Sequence, residues 1–311
     1  MASSLFIHKV YNRLKSFQRP FYSRYPVTND SANLSCTPFF IIGSGRSGNT
    51  LLRTILTGNS DLSIPPESYR LPFAIKRFQI HNNRDWKEIV TEVLDEFYSC
   101  REFYTWEINL DEARDRLMNI DESKRTLSNI FDELYCTYSK KHAPKSSIWG
   151  DKTPLNTLYL DWIGSVYPES KFIHIIRDGR DVTDSYLRMK RYQKLDEAAR
   201  RWNTSISLAR SFGLKRGDDY MEMRYEDMVT DTEPVIREVC TFLGIDYSPE
   251  MLEHTSRVDK LGDTDKAHHS NLTKPINSES VGKWKTNFSD SEQQEVNRLL
   301  RKNLLSLGYI D

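Results

Sequence analysis

A chain of 311 residues with 38 % hydrophobic and 12 % aromatic content has apolar mass for one large α/β domain with insertions, or at most two domains, which excludes a disordered chain. Lys+Arg and Asp+Glu balance at 44 each, so no global field draws the protein to nucleic acid, and an anion site needs a local concentration of Arg and Lys. Cys36, Cys100, Cys136 and Cys240 are scattered without C-x-x-C pairing and read as buried or neutral thiols of a reducing compartment, although an even count leaves a disulfide open.

Residues 1–37 read as an N-terminal leader. Met1 to Arg24 interleaves Lys9, Arg13, Lys15, Arg19 and Arg24 with Phe6, Ile7, Val10 and Leu14, as a surface helix or a disordered leader would. A basic amphipathic segment touching a membrane surface is the alternative. No apolar stretch reaches signal-peptide or membrane-spanning length, which predicts a cytoplasmic protein with no transmembrane segment.

The domain proper is expected over 38–311. Phe39 to Ile42 is an apolar run of buried-strand type, followed by a glycine-rich turn and a helix from Asn49 to Leu56. Asn59 to Pro72 reads as a loop containing Pro65-Pro66-Glu67. Residues 73–142 carry helical periodicity and predict a helical insertion, either an acceptor-binding lid or structural cover for the sheet. Ser147 to Gly150 and Lys171 to Ile176 read as strands, each leading through a basic turn into a helix. A long helix over Glu197 to Leu214, a strand over Tyr220 to Tyr225, and helices at Val235 to Leu243 and Asp290 to Leu307 complete the pattern. Residues 255–288 are polar and read as a long loop that orders on binding. The alternation predicts a three-layer α/β sandwich with a central parallel sheet and P-loop-like topology, its ligands at the carboxyl ends of the strands.

Gly43-Ser44-Gly45-Arg46-Ser47-Gly48-Asn49-Thr50 almost spells a Walker A loop. Gly43, Gly48 and Thr50 hold their positions, but Asn49 stands where an NTPase has lysine, and the nearest cation is Arg46 inside the loop. A strand–loop–helix of this kind aims backbone N–H groups and a helix N-terminus at an anion. Without the lysine, it suits a phosphate that is held rather than transferred. A degenerate kinase or another nucleotide binder remains open on the loop alone.

After a strand, Ser-Gly-Arg-Ser-Gly-Asn-Thr-Leu-Leu resembles the 5′-phosphosulfate loop of sulfotransferases that use 3′-phosphoadenosine 5′-phosphosulfate (PAPS). Further pieces strengthen the resemblance, which spans about residues 38–290. Arg177, Arg180, Asp181 and Ser185 match the family's Arg-x-x-Arg-Asp and its later serine, implying that Arg177 and Ser185 clamp a nucleotide 3′-phosphate. A dianionic phosphate suits a guanidinium fork plus a hydroxyl. Arg224-Tyr225-Glu226-Asp227 resembles the segment whose tyrosine lies near adenine, and Trp202-Asn203 the helical pair beside the nucleotide. Gly282-Lys283-Trp284-Lys285 resembles the late loop that closes over the 3′-phosphate, without the family's fuller Arg-Lys-Gly opening. Trp202 and Trp284 equally suit helix packing.

The resemblance also implies chemistry. Arg46 and the amides of Ser47, Gly48, Asn49 and Thr50 would hold the 5′-phosphosulfate, and Lys152 would neutralise the bridging oxygen as the S–O bond breaks. Glu67 lies where tyrosyl-protein and heparan sulfotransferases have their catalytic glutamate. Cytosolic members use the histidine of Lys-Thr-His, which is Pro154 here. The base is therefore expected at Glu67, with Asp151 second. His174 lies inside an apolar strand and reads as a core histidine, while His142, His268 and His269 lie in polar stretches without zinc spacing, so no metal is expected. The implied activity is transfer of a sulfuryl group from PAPS to a hydroxyl, releasing adenosine 3′,5′-bisphosphate. The sequence leaves the acceptor open among small molecule, glycan, lipid and peptide tyrosine, and the glutamate-type base leans toward a glycan or glycolipid hydroxyl. A P-loop kinase or NTPase and a nucleotide-binding scaffold without turnover are the alternatives.

Overall fold

A computed structural model describes residues 23–28, 34–36, 38–262 and 272–311. Residues 1–22, with the amphipathic segment, and His268 and His269 lie outside the described residues. In chain order the strands are β1 (Phe39–Ile42), β2 (Leu62–Ser63), β3 (Ile148–Lys152), β4 (Lys171–Ile176) and β5 (Tyr220–Arg224). The helices are α1 (Asn49–Leu56), α2 (Leu71–His81), α3 (Trp86–Tyr98), α4 (Asp111–Met118), α5 (Leu127–His142), α6 (Leu160–Val166), α7 (Gly179–Arg188), α8 (Leu195–Gly213), α9 (Tyr225–Thr230), α10 (Thr232–Leu243), α11 (Trp284–Asn287) and α12 (Asp290–Ser306), with short 3₁₀ turns between some of them.

The strands pair in parallel in the order β2-β3-β1-β4-β5. β2, at one edge, falls inside the segment expected to be only a loop, because two residues are too few to register as periodicity. All four residues of β1 are buried, as a strand covered on both faces requires. Its side chains alternate: Phe40 and Ile42 join Trp149 and Phe172 under one helical layer, while Phe39 and Ile41 join Ile173 and Ile175 under α1, α9 and α10. A further apolar cluster packs α7, α8, α11 and α12 together through Val182, Trp202, Trp284 and Leu300.

The helical segment is a full layer of this sandwich. Val93, Leu94 and Phe97 of α3 and Ile130 and Phe131 of α5 share one core with Phe40, Trp149 and Phe172 of the sheet. Burying these side chains, at about 1.5–3 kcal/mol each, explains why a charged stretch holds so much periodic apolar residue. The described part of the leader belongs to the same layer and does not hang free. Tyr25 packs on Trp86 at 5.1 Å, Ser128 N donates to Val27 O at 3.0 Å, and Ser35 N donates to Asp132 Oδ2 at 2.8 Å. All four cysteines are free thiols, with the Cys36 and Cys136 sulfurs 3.7 Å apart.

Candidate active site

Because all the strands run parallel, their carboxyl ends form one edge, and the sheet order fixes the order of the residues at that edge. Glu67 lies beyond β2, Lys152 ends β3, the glycine loop leaves β1, Arg177 leaves β4 and Tyr225 leaves β5. A cavity of about 610 Å³ lies along this edge, lined by Arg46, Asn49, Thr50, Glu67, Arg177 and Tyr225 among others.

The loop between β1 and α1 needs its glycines. Gly43 sits at φ 146, and a Cβ there would lie 2.5 Å from Ile175 O. Gly48, at φ 92, would drive a Cβ to 2.4 Å from the Tyr225 ring. Arg46 itself adopts φ 70, a left-handed conformation that costs a non-glycine residue energy and here lies in the middle of the anion loop. Asn49, at the missing lysine's position, donates from Nδ2 to Ser44 O at 2.8 Å and closes the loop on itself.

Two guanidiniums converge beside this loop. Arg46 Nε donates to Ser185 Oγ at 3.1 Å, and Arg177 Nη1 donates to Arg46 O at 3.0 Å. Burial first, and then the Arg177 charge, holds the Arg46 guanidinium below its ordinary value. Arg177 stacks over the Tyr225 ring at 4.6 Å and its Nε is buried without a hydrogen-bond partner. Its Nη2 donates to Ser280 O at 2.5 Å, and the nearest carboxylate, Asp181, stands 3.9 Å away. Like charges so placed, with a buried donor idle, are complementary to a polyanion.

Lys152 and Glu67 meet at the other end of the cavity. Lys152 Nζ donates to Glu67 Oε1 at 2.5 Å and to Thr50 Oγ1 at 3.2 Å. Glu67 lines the cavity, whereas the Lys152 side chain is 0 % exposed behind it. Strand periodicity separates Lys152 from its neighbour. Lys152 pairs with Ile41 and faces α1, while Asp151 pairs with Phe40 and faces the helical layer. There Asp151 accepts from Tyr135 OH at 2.5 Å and from Asn156 Nδ2 at 2.7 Å, and burial pushes its carboxyl up to about 6. Asp151, the second candidate for the base, therefore points away from the cavity.

Several expected site residues support the cavity without lining it. Trp202 is fully buried, donates from Nε1 to Arg177 O at 3.1 Å and packs on Gly179, so it braces the Arg177 turn from beneath and does not line the cavity. Trp284 is 5 % exposed with the Arg180 guanidinium 4.2 Å over its ring. Gly282 N and Trp284 N are bonded to the two oxygens of Asp181, at 2.8 and 3.0 Å, which leaves exposed Lys283 outside the lining. From this late segment it is Ser280, joined by Lys274 and Ile276, that reaches the cavity. Ser47 is buried beneath its loop, with Oγ unpartnered. No residue of 73–142 lines the cavity, and the helical layer packs on the sheet as cover. His174 is buried as expected, with Nδ1 2.6 Å from Tyr220 OH.

The sequence reading missed part of the cavity wall. Tyr69, Tyr186 and Tyr192 line it with Arg191 and Arg201, and Tyr186 OH lies 3.0 Å from Ser44 Oγ. Arg201 Nη2 donates to Pro154 O at 3.3 Å, which fixes it on the β3 side. The only signal was the cluster Met189-Lys190-Arg191-Tyr192 directly after the helix that carries Ser185. Among the described residues neither Arg191 nor Arg201 forms an ion pair with a carboxylate. Also among them, no group of three or more His, Cys, Asp or Glu could hold a metal ion, and no helix is long and apolar enough to cross a membrane.

An anion cradle lacking the transferring lysine, set beside a carboxylate in contact with a buried lysine, is the edge of a P-loop-like group transferase. Residues 38–249, more than half of the chain, match the sulfotransferase family, and the protein belongs to it as a PAPS-dependent sulfotransferase. It is similar to protein-tyrosine sulfotransferase 1 of Danio rerio, 22 % identical over 320 residues that cover 96 % of this chain and 82 % of the relative. A putative protein-tyrosine sulfotransferase of Caenorhabditis briggsae is 24 % identical, covering 87 % and 88 %. Among solved structures, the sulfotransferase domain of the Synechococcus PCC 7002 olefin synthase superposes with a TM-score of 0.61 at 25 % identity, covering 88 % of this chain and 97 % of that one.

Proposed function

We propose that the enzyme moves the sulfuryl group of PAPS to a phenolic hydroxyl of a peptide tyrosine, with Glu67 as the base. The observation that carries this reading is the contact of Glu67, Lys152 and Thr50 at the end of a cavity whose other end holds Arg46, Arg177 and Tyr225. The strand order supports one orientation of the donor. Its adenine lies toward Tyr225, its 3′-phosphate against Arg177 and Ser185, and its phosphosulfate on the loop beside Arg46. Glu67 accepts the phenolic proton as the acceptor oxygen bonds to sulfur. The bond from sulfur to the bridging oxygen breaks, and Lys152 neutralises the charge left on adenosine 3′,5′-bisphosphate. Positioning and electrostatics carry such a step.

Two observations support tyrosine over the glycan or glycolipid favoured by sequence. Tyr69, two residues after Glu67, together with Tyr186 and Tyr192 gives the cavity aromatic walls suited to a phenol, and Arg191 and Arg201 suit acidic groups flanking it. The Danio rerio and Caenorhabditis briggsae relatives are protein-tyrosine sulfotransferases by name. The test incubates labelled PAPS with a tyrosine peptide bearing acidic flanks, its phenylalanine counterpart and a glycan panel. Label is expected on the tyrosine peptide alone; label only on glycan would overturn the acceptor assignment. Glu67→Gln should lower turnover by about 10²–10⁴ while bisphosphate affinity persists. A Glu67→Gln enzyme at the wild-type rate would overturn the base assignment.

A further inference from the structure

Two of the turns at the strand ends carry charged residues that the cavity does not use. Arg177 and Tyr225 line it, whereas Arg180, Arg224 and Glu226, close to them in sequence, do not. These three reach one segment behind the cavity, residues 307–309, just after α12. Arg224 Nη2 donates to Leu307 O, and its guanidinium lies 4.7 Å over the Tyr309 ring. Glu226 Oε2 accepts from Tyr309 OH at 2.9 Å. Arg180 Nη2 donates to Tyr309 O at 3.4 Å, and its Nη1 donates to Asn297 Oδ1 of α12 at 3.1 Å.

Glu226 is bonded at two places at once. Its other oxygen, Oε1, accepts from Asp178 N at 2.9 Å. The same peptide unit is held on its opposite side, where Arg177 O accepts from Trp202 Nε1 at 3.1 Å. The Asp178 carboxylate is taken in turn by Arg180, Nη2 to Oδ2 at 2.7 Å. The peptide that follows Arg177 is thus tied through Glu226 to the turn carrying Tyr225, and through the Tyr309 hydroxyl to the segment beyond α12. Between the two turns the Arg177 guanidinium lies 4.6 Å over the Tyr225 ring. A tyrosine serving only to pack beside Trp202 and Leu300 would be replaceable by phenylalanine, because a partly buried hydroxyl adds desolvation cost unless its bond is used.

We propose that Tyr309 is a positioning residue of the donor site: by holding Glu226 between the exits of β4 and β5, it sets Arg177 against the 3′-phosphate. The inference rests on the placing of the 3′-phosphate at Arg177. Without the Tyr309 hydroxyl, Glu226 Oε2 loses its partner and the carboxylate can leave Asp178 N for water. Arg177 must then be ordered at the moment of binding, which costs affinity. Adenosine 3′,5′-bisphosphate meets that cost, whereas 5′-AMP, with no 3′-phosphate, does not.

The experiment is calorimetry on the full chain with both nucleotides, for the wild type, Tyr309→Phe, Arg177→Ala and the double variant. Tyr309→Phe is expected to weaken bisphosphate binding about 5–20-fold and 5′-AMP binding by less than about twofold. In the Arg177→Ala background the same change should cost less than about twofold for either nucleotide, because the group it positions is gone. Wild-type bisphosphate affinity in Tyr309→Phe, or a loss that persists in full without Arg177, overturns the proposal. So does an equal loss for the two nucleotides, the mark of general structural damage. If Tyr309→Phe does not fold, Glu226→Ala removes the shared carboxylate and carries the same cycle. Failure of the 3′-phosphate placing is seen separately: a wild type that binds the two nucleotides equally overturns that reading, and this one with it.

Discussion

Replacing Lys152 by alanine separates two effects that the structure superimposes. In the ground state its ammonium is in contact with Glu67 Oε1 at 2.5 Å and with Thr50 Oγ1 at 3.2 Å. Breaking a fully buried pair costs about 3–5 kcal/mol, but Glu67 retains 16 % exposure and can rehydrate, so the stability loss should fall below that range. On the proposed mechanism, the ammonium faces, in the transition state, an oxygen gaining about half a charge. At a hydrogen-bond distance of about 3 Å and an effective dielectric of about 20, that attraction is about 3 kcal/mol, or roughly a hundredfold in rate. Lys152→Ala should therefore lower the single-turnover rate at saturating PAPS about a hundredfold, well below the melting temperature, while bisphosphate affinity changes by less than about threefold. Normal single turnover with only a raised KM for PAPS would show that the lysine binds the donor equally in both states. A parallel loss of rate and bisphosphate affinity would refute the argument as well, because the interaction would not be confined to the transition state.

Arg177→Ala should erase most of the preference for adenosine 3′,5′-bisphosphate over 5′-AMP, worth about 2–4 kcal/mol for a charge-assisted clamp. Equal affinity for the two nucleotides in the wild type, by calorimetry, would contradict the placing of the 3′-phosphate there. Asp181→Asn loosens the turn held through Gly282 N and Trp284 N, so PAPS affinity should fall more than turnover, and amide exchange over 280–287 should accelerate. Unchanged exchange would show that the Arg180–Trp284 stacking suffices alone. Burial pushes the His174 imidazole down, against the opposing pull of Glu222, with Tyr220 and Arg210 the other polar neighbours. Its folded pKa is below the unfolded value near 6.5, so its contribution to stability is present above about pH 6.5 and is lost as pH falls below it. Denaturant midpoints of His174→Gln should lose that part of the acid slope; an identical slope would assign it to other groups.

Most of the fold was legible because local pattern and global role coincide. Phe39–Ile42 and Lys171–Ile176 are apolar on both faces as only sheet-interior strands need be, and the glycines before Asn49 leave few alternatives to a tight anion loop. Where the reading failed, the deciding contact lay far along the chain. Trp202 and Trp284 occupy motif positions, but which way an indole faces depends on Gly179 and Arg180 across a helix interface. The helical stretch 73–142 carries the same periodicity whether it caps a pocket or covers a sheet, and only Trp149 and Phe172 in its core decide between them. Arg191, Tyr192 and Arg201 gave no motif at all, since the first two lie in the turn between α7 and α8, Arg201 lies within α8, and only the fold brings them to one cavity.

The contest between Glu67 and Asp151 is the instructive case, because periodicity alone could have settled much of it. Asp151 and Lys152 are consecutive residues at the end of a strand, and consecutive strand side chains point to opposite faces. If Lys152 serves the loop between β1 and α1, Asp151 must face the other layer. It does so, into Tyr135 and Asn156, where its carboxyl is raised to about 6 by burial. Strand alternation had already removed one of the two candidate bases. What alternation could not supply is which groups receive the residue so removed: a tyrosine 16 residues earlier and an asparagine five residues later hold one carboxylate oxygen each.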